Sequence, residues 1–257
     1  MSLIDKSRKI VIKIGSNTLS DEHGFINESF IKNLSHQVTK LKNQGKDVVI
    51  VSSGAKIAGV SAINKWSRKG DINYKQALCA IGQVKLLQYY SKHFTDYNIA
   101  QILLTIDDFT HDDRLLNIRN TLFTLIDENV VPIVNENDTV CVKELQIGDN
   151  DTLAALTAKL WNADLLIILS DIDGLFDKNP KEHADAKLLT KVKNVEEIIS
   201  QIEIGGTNSF GTGGIKTKLD AAQICKEYEI PMILANGSAE NVIDNLQISE
   251  ENCTVFL

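Results

Sequence analysis

Short apolar runs alternate with longer amphipathic segments along most of the chain. The first run, Lys9–Ile14, is rich in β-branched residues and ends at a glycine, which is typical of a buried strand that enters a loop. The next segment carries apolar residues at helical spacing and stops before Gly45, a residue type that often follows a helix end. A second apolar run, Val48–Val51, comes next, so the pattern predicts strand, helix and strand in that order.

The same alternation continues towards the C-terminus. We predict helices at about residues 74–94 and 112–128, and strands at about residues 99–105, 130–134 and 165–169. These strands are apolar on both faces, which indicates a mainly parallel sheet covered by helices on both sides. The predicted fold class is therefore α/β, in the form of a three-layer αβα sandwich.

Two prolines interrupt strand-like runs. They are Pro132 and Pro231, and neither can donate a hydrogen bond to a neighbouring strand. Each is therefore expected near the start of its strand or at a sheet edge.

The composition fits one globular domain. The chain has 257 residues, of which 43% are hydrophobic and 24% are charged. We expect a single domain over residues 1–257. A change of pattern near residue 165 divides it into an amino-terminal lobe of about residues 1–164 and a carboxyl-terminal lobe of about residues 165–257.

The charge and the cysteines argue against several classes of protein. A net charge of -7 disfavours general nucleic-acid binding, which needs clustered Lys and Arg. No apolar run approaches the ~20 residues of a membrane helix, and the N-terminus lacks the apolar core of a signal peptide. We therefore expect no membrane partner and a cytoplasmic location. The four cysteines form no CxxC pair and are expected to be reduced core thiols.

Four of the predicted strands are followed by loops rich in Gly, Ser, Asn and Asp. Ligands of parallel sheets bind at the carboxyl ends of the strands, where these loops would meet. Each loop alone fits an ordinary turn, but four of them at one end of one sheet favour a ligand cleft. The loops are Gly15–Asn17, Ser52–Ala55, Asn135–Asp138 and Ser170–Gly174.

The glycine-rich segment 205–214 is the strongest local signal. Its glycines let backbone N–H groups approach an anion, and the helix predicted after it offers an N-terminus near Lys216 and Lys218. The spacing matches neither a Walker motif nor a dinucleotide-binding motif, so the alternatives are a phosphate-binding loop and a flexible surface loop. Lys13, a charge inside an apolar strand, fits either a phosphate ligand or an edge lysine that reaches solvent, and we favour the phosphate ligand.

A second polar segment, Gly148–Asp151, precedes a strongly helical stretch. Its two acidic residues fit a helix cap, but a single acidic residue would be enough for capping. The second acidic residue therefore suggests a partner such as a lysine or a substrate amine. No histidine lies at a catalytic spacing, and no Gly-x-Ser-x-Gly motif or metal triad is present. The remaining lysines, glycines and carboxylates favour phosphoryl transfer, in which positioning and charge neutralisation dominate.

Five motifs stand in a fixed order along the chain. They are Lys13–Ser16, Ser53–Ala55, Asn135–Asp138, Gly148–Asp151, and Gly211–Gly214 with Thr217–Lys218. Together they resemble the glutamate 5-kinase family, within the amino acid kinase superfamily. The resemblance covers the chain from about residue 8 to the C-terminus, and the ordered set is far more specific than any one motif.

The resemblance implies an activity and an acceptor site. The activity is ATP-dependent phosphorylation of the γ-carboxylate of L-glutamate to L-glutamyl 5-phosphate, the first step of proline biosynthesis, with ATP as co-substrate and Mg²⁺. The amino-terminal lobe would bind glutamate through Ser53, Asp138 and Asn150.

The resemblance also implies catalytic residues and an ATP site in the carboxyl-terminal lobe. Lys13 and Lys218 would stabilise the transferring phosphoryl group, and Asp151 would hold the two lysines in place. The implied ATP-binding residues are Lys13, Ser170, Asp171, Thr212, Gly213, Gly214, Ile215, Lys216, Thr217 and Lys218.

Further expectations concern partners and regulation. The resemblance implies a homo-oligomer and makes proline a candidate feedback inhibitor. The chain ends after its last strand-like run, so we expect no PUA domain of the kind that many bacterial relatives carry, and Asn17 is atypical of the first motif.

Two alternative functions stay open. One is a related kinase for acetylglutamate, aspartate or uridylate, and the other is a non-catalytic amino-acid sensor of the same fold. The acidic, asparagine-rich acceptor loops favour a zwitterionic amino acid as substrate. The presence of both lysines and Asp151 favours a catalyst over a sensor.

Overall fold

An eight-stranded sheet forms the centre of the molecule. The computed structural model describes residues 1–65, 67–68, 70–141, 150–180, 182–205 and 214–257. Within them the strands are β1 (Lys9–Ile14), β2 (Asp47–Ser52), β3 (Ile99–Leu104), β4 (Val131–Glu136), β5 (Leu165–Ser170), β6 (Lys191–Val192), β7 (Met232–Asn236) and β8 (Thr254–Phe256).

Helices connect most of these strands. In the described residues they are α1 (Leu3–Lys6), α2 (Glu28–Asn43), α3 (Ala55–Ile63), α4 (Ile72–His93), α5 (Asp112–Asp127), α6 (Asp151–Trp161), α7 (Val195–Gly205), α8 (Gly214–Glu227) and α9 (Val242–Ile248). A short 3₁₀ helix, Ile106–Thr110, precedes α5. Across the described ranges, no helix has the length and apolar character needed to span a bilayer.

The strand order is β3-β4-β2-β1-β5-β7-β8-β6. Neighbouring strands are parallel except for the antiparallel pair β7 and β8, which confirms the prediction of a mainly parallel sheet. Strands β1 to β4 occupy one half of the sheet and β5 to β8 the other, and the halves join where β1 pairs with β5. The loops after β1, β2, β4 and β5 therefore meet at one end of the sheet, as predicted.

The two faces of the sheet are covered by separate helical layers. Along β1, Ile10, Ile12 and Ile14 belong to one buried cluster, which α2, α4 and α9 complete. Val11 faces the opposite cluster, to which α6 and α8 contribute. Because side chains alternate between the faces of a strand, both sides of the sheet are apolar, and the predicted three-layer architecture is confirmed.

The sequence signals for element ends agree with the structure. Helix α2 ends before Gly45, whose positive φ of 80° suits glycine. Pro132 is the second residue of β4 and Pro231 directly precedes β7, so both prolines lie near a strand start. The hydrogen-bond ladder of the sheet therefore loses few bonds because of the missing proline N–H groups.

Helices α3 and α4 pack at unusually short range through two glycines. A Cβ atom on Gly82 would lie 1.7 Å from the carbonyl oxygen of Ala55, and one on Gly59 would lie 2.0 Å from that of Leu78. No side chain fits at either position, so the backbones of the two helices are in direct contact. This contact fixes α4 relative to α3, which starts just after the loop that follows β2.

We expect Gly82→Ala to destabilise the fold by about 3 kcal/mol, because the added methyl group would force the two helices apart. Urea unfolding followed by circular dichroism measures the change. Gly70→Ala is the matched control, since a Cβ atom there would meet nothing within 4 Å. Equal unfolding midpoints for the two variants would mean that α3 and α4 are not held at this distance.

Candidate active site

A buried carboxylate between two buried lysines lies at the carboxyl end of the sheet. Asp151 is fully buried, and its Oδ1 atom lies 2.6 Å from Nζ of Lys13. Its Oδ2 atom lies 3.1 Å from Nζ of Lys218. Each oxygen of a single carboxylate therefore holds a different ammonium group.

Three separate elements bring these charges together. Lys13 is the residue before the last in β1 and faces the same side of the sheet as Val11, the side covered by α6 and α8. Asp151 is the first residue of α6, and Lys218 lies in the second turn of α8. The alternative of an edge lysine for Lys13 is wrong, because β1 lies between β2 and β5 and Lys13 is only 2% exposed.

The start of α8 is tied to the same carboxylate. Thr217 Oγ1 lies 3.1 Å from Asp151 Oδ2 and 3.0 Å from the carbonyl oxygen of Gly214, so both acceptors share its single proton. Nζ of Lys218 also donates to the Gly214 carbonyl, at 3.1 Å. Asp151 therefore orients the first turns of α8 as well as the two lysines.

Four other residues of the predicted ATP site lie at or just before the start of α8. Ile215 is partly buried against the apolar cluster under α6 and α8, and Lys216 is exposed. Thr212 and Gly213 lie outside the described residues. A nucleotide-binding role for these four residues stays a prediction.

The central cluster brings two cations to one point of the site. The ammonium groups of Lys13 and Lys218 both lie against the carboxylate of Asp151 in a buried setting. Two positive charges fixed so close together attract an anion. The cluster is therefore suited to bind a phosphoryl group.

Asn150, the residue before α6, links two strand ends. Its Nδ2 atom donates to the carbonyl oxygen of Ser52 and to Oδ1 of Asn135, both at 2.8 Å. The Asn135 Oδ1 atom also accepts from the backbone N–H of Glu136 at 2.8 Å. The Asn150 side chain makes no capping hydrogen bond to α6, so it spans the ends of β2 and β4 instead.

Ser53 lies beside this network. Its backbone N–H donates to the carbonyl oxygen of Ile14 at 3.2 Å, which places it at the adjoining ends of β1 and β2. Ser53 is buried, and Gly54 follows it with a positive φ of 90° before α3 begins. The two predicted acceptor residues Ser53 and Asn150 are thus close to each other and to the charged cluster.

Asp138, the third predicted acceptor residue, lies in the turn after β4 and is half-buried. The thiol of Cys79 on α4 lies close to its carboxylate. Burial and the charge of Asp138 raise the pKa of the Cys79 thiol, against a smaller opposite effect of Lys56. Cys79 is therefore a neutral thiol beside this carboxylate at physiological pH.

Asp171 follows β5 at the opposite side of the charged cluster. Partial burial acts to raise its pKa, but hydrogen bonds from Asn17 and Ser170 and the charge of Lys218 outweigh it and hold the pKa of Asp171 below its usual value. The Asn17 Nδ2 atom donates to Asp171 Oδ2 at 2.8 Å, and Ser170 Oγ donates to Oδ1 at 3.2 Å. Asp171 is therefore ionised at neutral pH and joined to the loop after β1.

Comparisons with known proteins decide the family. The model of the amino acid kinase family matches residues 8–236. The glutamate 5-kinase of Alkaliphilus metalliredigens is 62% identical over 99% of this chain and 97% of its own length, and that of Alkaliphilus oremlandii is 60% identical over the same shares. The chain belongs to the amino acid kinase family and, within it, to the glutamate 5-kinases.

Solved structures share the fold. The carbamate kinase of Giardia lamblia bound to AMP-PNP has a TM-score of 0.67 at 18% identity, with 97% of this chain and 98% of that chain covered. The UMP kinase of Ureaplasma parvum has a TM-score of 0.66 at 18% identity over the same shares. At this identity the likeness shows the fold alone, and it agrees with the three-layer sandwich.

In this member of the glutamate 5-kinases, sequence reasoning missed several polar contacts. Asn17 is the clearest, because it departs from the usual motif yet joins the loops after β1 and β5. Ser52 and Asn135 lie in loops that the sequence predicts to form the ligand cleft, but their hydrogen bonds to Asn150 were not predicted. Both are polar residues within the last two positions of a buried strand, and that position was the signal available for them.

We expect Asp151→Asn to destabilise the fold by about 3–5 kcal/mol, because it leaves two buried ammonium groups without a counter-charge. The free energy of unfolding in urea measures this. Asp244→Asn is the matched control, because it breaks the solvent-exposed pair with Lys40 and should cost less than about 1 kcal/mol. Similar losses in both variants would contradict the role of Asp151 as the buried counter-ion.

Proposed function

We propose that the protein is an ATP-dependent glutamate 5-kinase that transfers the γ-phosphoryl group of ATP to the γ-carboxylate of L-glutamate. The products are ADP and L-glutamyl 5-phosphate, and the reaction is the first step of proline biosynthesis. The observation that carries the proposal is the pairing of Lys13 and Lys218 on Asp151, directly beside the buried amide of Asn150. This arrangement offers an anion site and a polar acceptor site side by side.

The reaction needs no general base. A γ-carboxylate is already ionised near neutral pH, since its ordinary pKa is about 4.3. One of its oxygens attacks the γ-phosphorus, the new O–P bond forms, and the bond from phosphorus to the bridging oxygen breaks to release ADP. Lys13, Lys218 and Thr217 contact the Asp151 carboxylate as hydrogen-bond donors, which agrees with a reaction that relies on positive charge and not on proton abstraction.

The main barrier is repulsion between anions. Two unit charges 4 Å apart repel by about 4 kcal/mol at an effective dielectric of 20. Lys13 and Lys218 oppose that repulsion from positions fixed before the substrates arrive, because Asp151 holds both of them. The first turn of α8, tied to the same carboxylate, adds the positive end of a helix dipole.

The acceptor end is assigned to the amino-terminal lobe, about residues 1–164. Ser53, Asp138 and Asn150 are proposed to bind glutamate there, with the carboxylate of Asp138 facing the ammonium group of the substrate. The burial of Ser53 and Asn150 at adjoining strand ends supports this assignment. A zwitterionic substrate also fits better than the uridylate of a related kinase, because a nucleotide offers no ammonium group to Asp138.

The nucleotide end is assigned to the carboxyl-terminal lobe, about residues 165–257. Asp171 and Ser170 lie at the end of β5, and Asp171 lies within electrostatic range of Lys218. The predicted segment from Thr212 to Lys218 would complete the site.

The residues present fit a magnesium ion held mainly by ATP. Among the described residues no cluster of three or more His, Cys, Asp or Glu side chains could hold a metal by itself. Mg²⁺ in kinase sites is usually bound by substrate phosphates with one or two carboxylates, and the ionised Asp171 can supply one. When bound, the ion would neutralise charge on the phosphates.

Three further parts belong to the proposal. A homo-oligomeric assembly and feedback inhibition by proline rest on the family resemblance, and a cytoplasmic location rests on the sequence pattern. A panel of glutamate, acetylglutamate, aspartate and uridylate separates the proposed activity from those of related kinases, and binding of glutamate without turnover would identify a sensor.

We expect the wild-type protein to form a hydroxamate from L-glutamate, ATP and Mg²⁺ when hydroxylamine traps the acyl phosphate. Lys218→Ala should lower kcat on the order of 10²-fold, because one of the two charges that face the phosphoryl group is lost. Lys226→Ala on the same helix is the control, since Lys226 pairs with Glu196 at the surface. No hydroxamate from the wild-type protein would refute the function, and unchanged turnover in Lys218→Ala would refute the role of that lysine.

We expect Asp138→Ala to raise KM for glutamate at least tenfold and to leave KM for ATP nearly unchanged, because a charged partner of the substrate ammonium group is removed. Initial rates with each substrate varied in turn measure the two constants. An equal rise in both constants would contradict the assignment of glutamate and ATP to different lobes.

A further inference from the structure

One face of α4 carries three buried polar side chains in an otherwise apolar layer. Cys79, Gln83 and Tyr90 are 1%, 7% and 0% exposed. Their spacings of four and seven residues place them on the same side of the helix. Buried polar groups need partners, and each of these three lies at a different part of the proposed acceptor site.

Tyr90 contacts the end of β2. Its hydroxyl lies 3.0 Å from Oγ of Ser52, and that Oγ donates to the carbonyl oxygen of Ser53 at 2.9 Å. The single proton of the Ser52 hydroxyl is therefore used, so the Tyr90 hydroxyl is the donor in the contact between them. Tyr90 thus fixes Ser52, whose carbonyl holds Asn150, and through it the backbone of Ser53.

Gln83 and Cys79 contact the end of β4 and the turn after it. The Gln83 Nε2 atom donates to the carbonyl oxygen of Glu136 at 3.4 Å, while its Oε1 accepts from Gln101 at 3.2 Å. One turn earlier on the same face, the buried thiol of Cys79 lies close enough to Asp138 for the charge of that carboxylate to act on it. The same helix face therefore reaches both loops that carry the proposed glutamate ligands.

The helix that carries these groups is held firmly. The backbone contacts at Gly59 and Gly82 lock α4 against α3. The apolar residues between the polar ones, including Leu86, lie in the cluster under the sheet. A shift of α4 would therefore have to move α3 and the apolar layer together.

We propose that Cys79 and Tyr90 are positioning residues for glutamate, which hold the Asp138 carboxylate and the Ser52–Ser53 backbone in the geometry that binds the substrate. The inference rests on the proposed function and adds to it a determinant of acceptor affinity. Neither side chain touches the reacting atoms. They act by fixing the positions of the glutamate-binding residues before the substrate binds.

A merely structural role predicts a different outcome. Loss of a buried hydrogen bond that only stabilises the fold lowers the unfolding temperature and leaves both Michaelis constants unchanged. A positioning role raises KM for glutamate alone, because the nucleotide end of the site is built on β5 and α8, away from α4. The split between the two substrates is therefore the decisive readout.

The experiment compares Tyr90→Phe and Cys79→Ala with wild type in the hydroxamate assay. Each variant removes one hydrogen-bonding group with little change of shape. We expect KM for glutamate to rise about fivefold in each, the change that corresponds to one neutral hydrogen bond, with KM for ATP and kcat within twofold of wild type. Cys79→Ser keeps a donor next to Asp138 and should restore KM to within twofold of wild type.

Two control variants test whether the rise in KM for glutamate is specific to the buried polar face of α4. Tyr89→Phe changes the neighbouring tyrosine, whose ring packs under Lys85, and Cys225→Ala changes a buried cysteine in the opposite apolar layer. Both should leave KM for glutamate unchanged.

The outcomes distinguish this inference from the proposed function. An active wild-type enzyme whose Tyr90→Phe and Cys79→Ala variants keep a normal KM for glutamate would overturn the inference alone. Equal increases in KM for glutamate and ATP, or a Cys79→Ser variant no better than Cys79→Ala, would overturn it too. A wild-type protein that forms no hydroxamate would overturn the proposed function, and the inference with it.

Discussion

The carboxylate of Asp151 is the interaction on which the site depends. It is fully buried, yet it pairs with an ammonium group on each side and accepts a third hydrogen bond from Thr217. Removing such charges from water costs several kcal/mol, and only good geometry repays the cost. The central strand β1 and the helices α6 and α8 must therefore keep fixed positions relative to one another. Those positions determine where the proposed anion site lies.

The two sides of the proposed site are built by different means. On the proposed nucleotide side, charge dominates, because Lys218 and Asp171 interact between the end of β5 and the start of α8. On the proposed acceptor side, neutral hydrogen bonds dominate, and Asn150 joins strand ends that also contact α4. This division matches the chemistry, because a phosphoryl group carries dense negative charge, whereas an amino acid must be oriented through several weaker contacts.

Much of the fold could be predicted from the chain because its signals are local. The strand Lys9–Ile14 is found at its predicted bounds, and helix α4 differs by at most two residues from the predicted segment, since apolar period and end signals define them. The meeting of four polar loops also followed from the parallel order of the strands. The burial of Lys13 was expected from its place inside an apolar strand, and its role as a phosphate ligand stays a prediction.

The contacts within the site could not be predicted in the same way. Tyr90 and Cys79 fit the apolar period of α4, so their polar atoms carry no signal until the helix is packed against the strand ends. Asn17 and Asp171 are separated by more than 150 residues and meet only because β1 pairs with β5. Asp149, Thr212 and Gly213 lie outside the described residues, so their predicted roles are unchanged.

The pairing of β1 with β5 also has a consequence for how the chain can be divided. Lys13 belongs to the half of the sheet formed by β1 to β4, whereas Asp151 and Lys218 belong to the sequence that follows it. A chain cut after β4 would leave one fragment with a buried cation and no counter-ion, and the other with half of its ion pairs. The pairing of β1 with β5 therefore brings together charges that the two halves of the sheet contribute separately, and the proposed anion site is formed by the same contact.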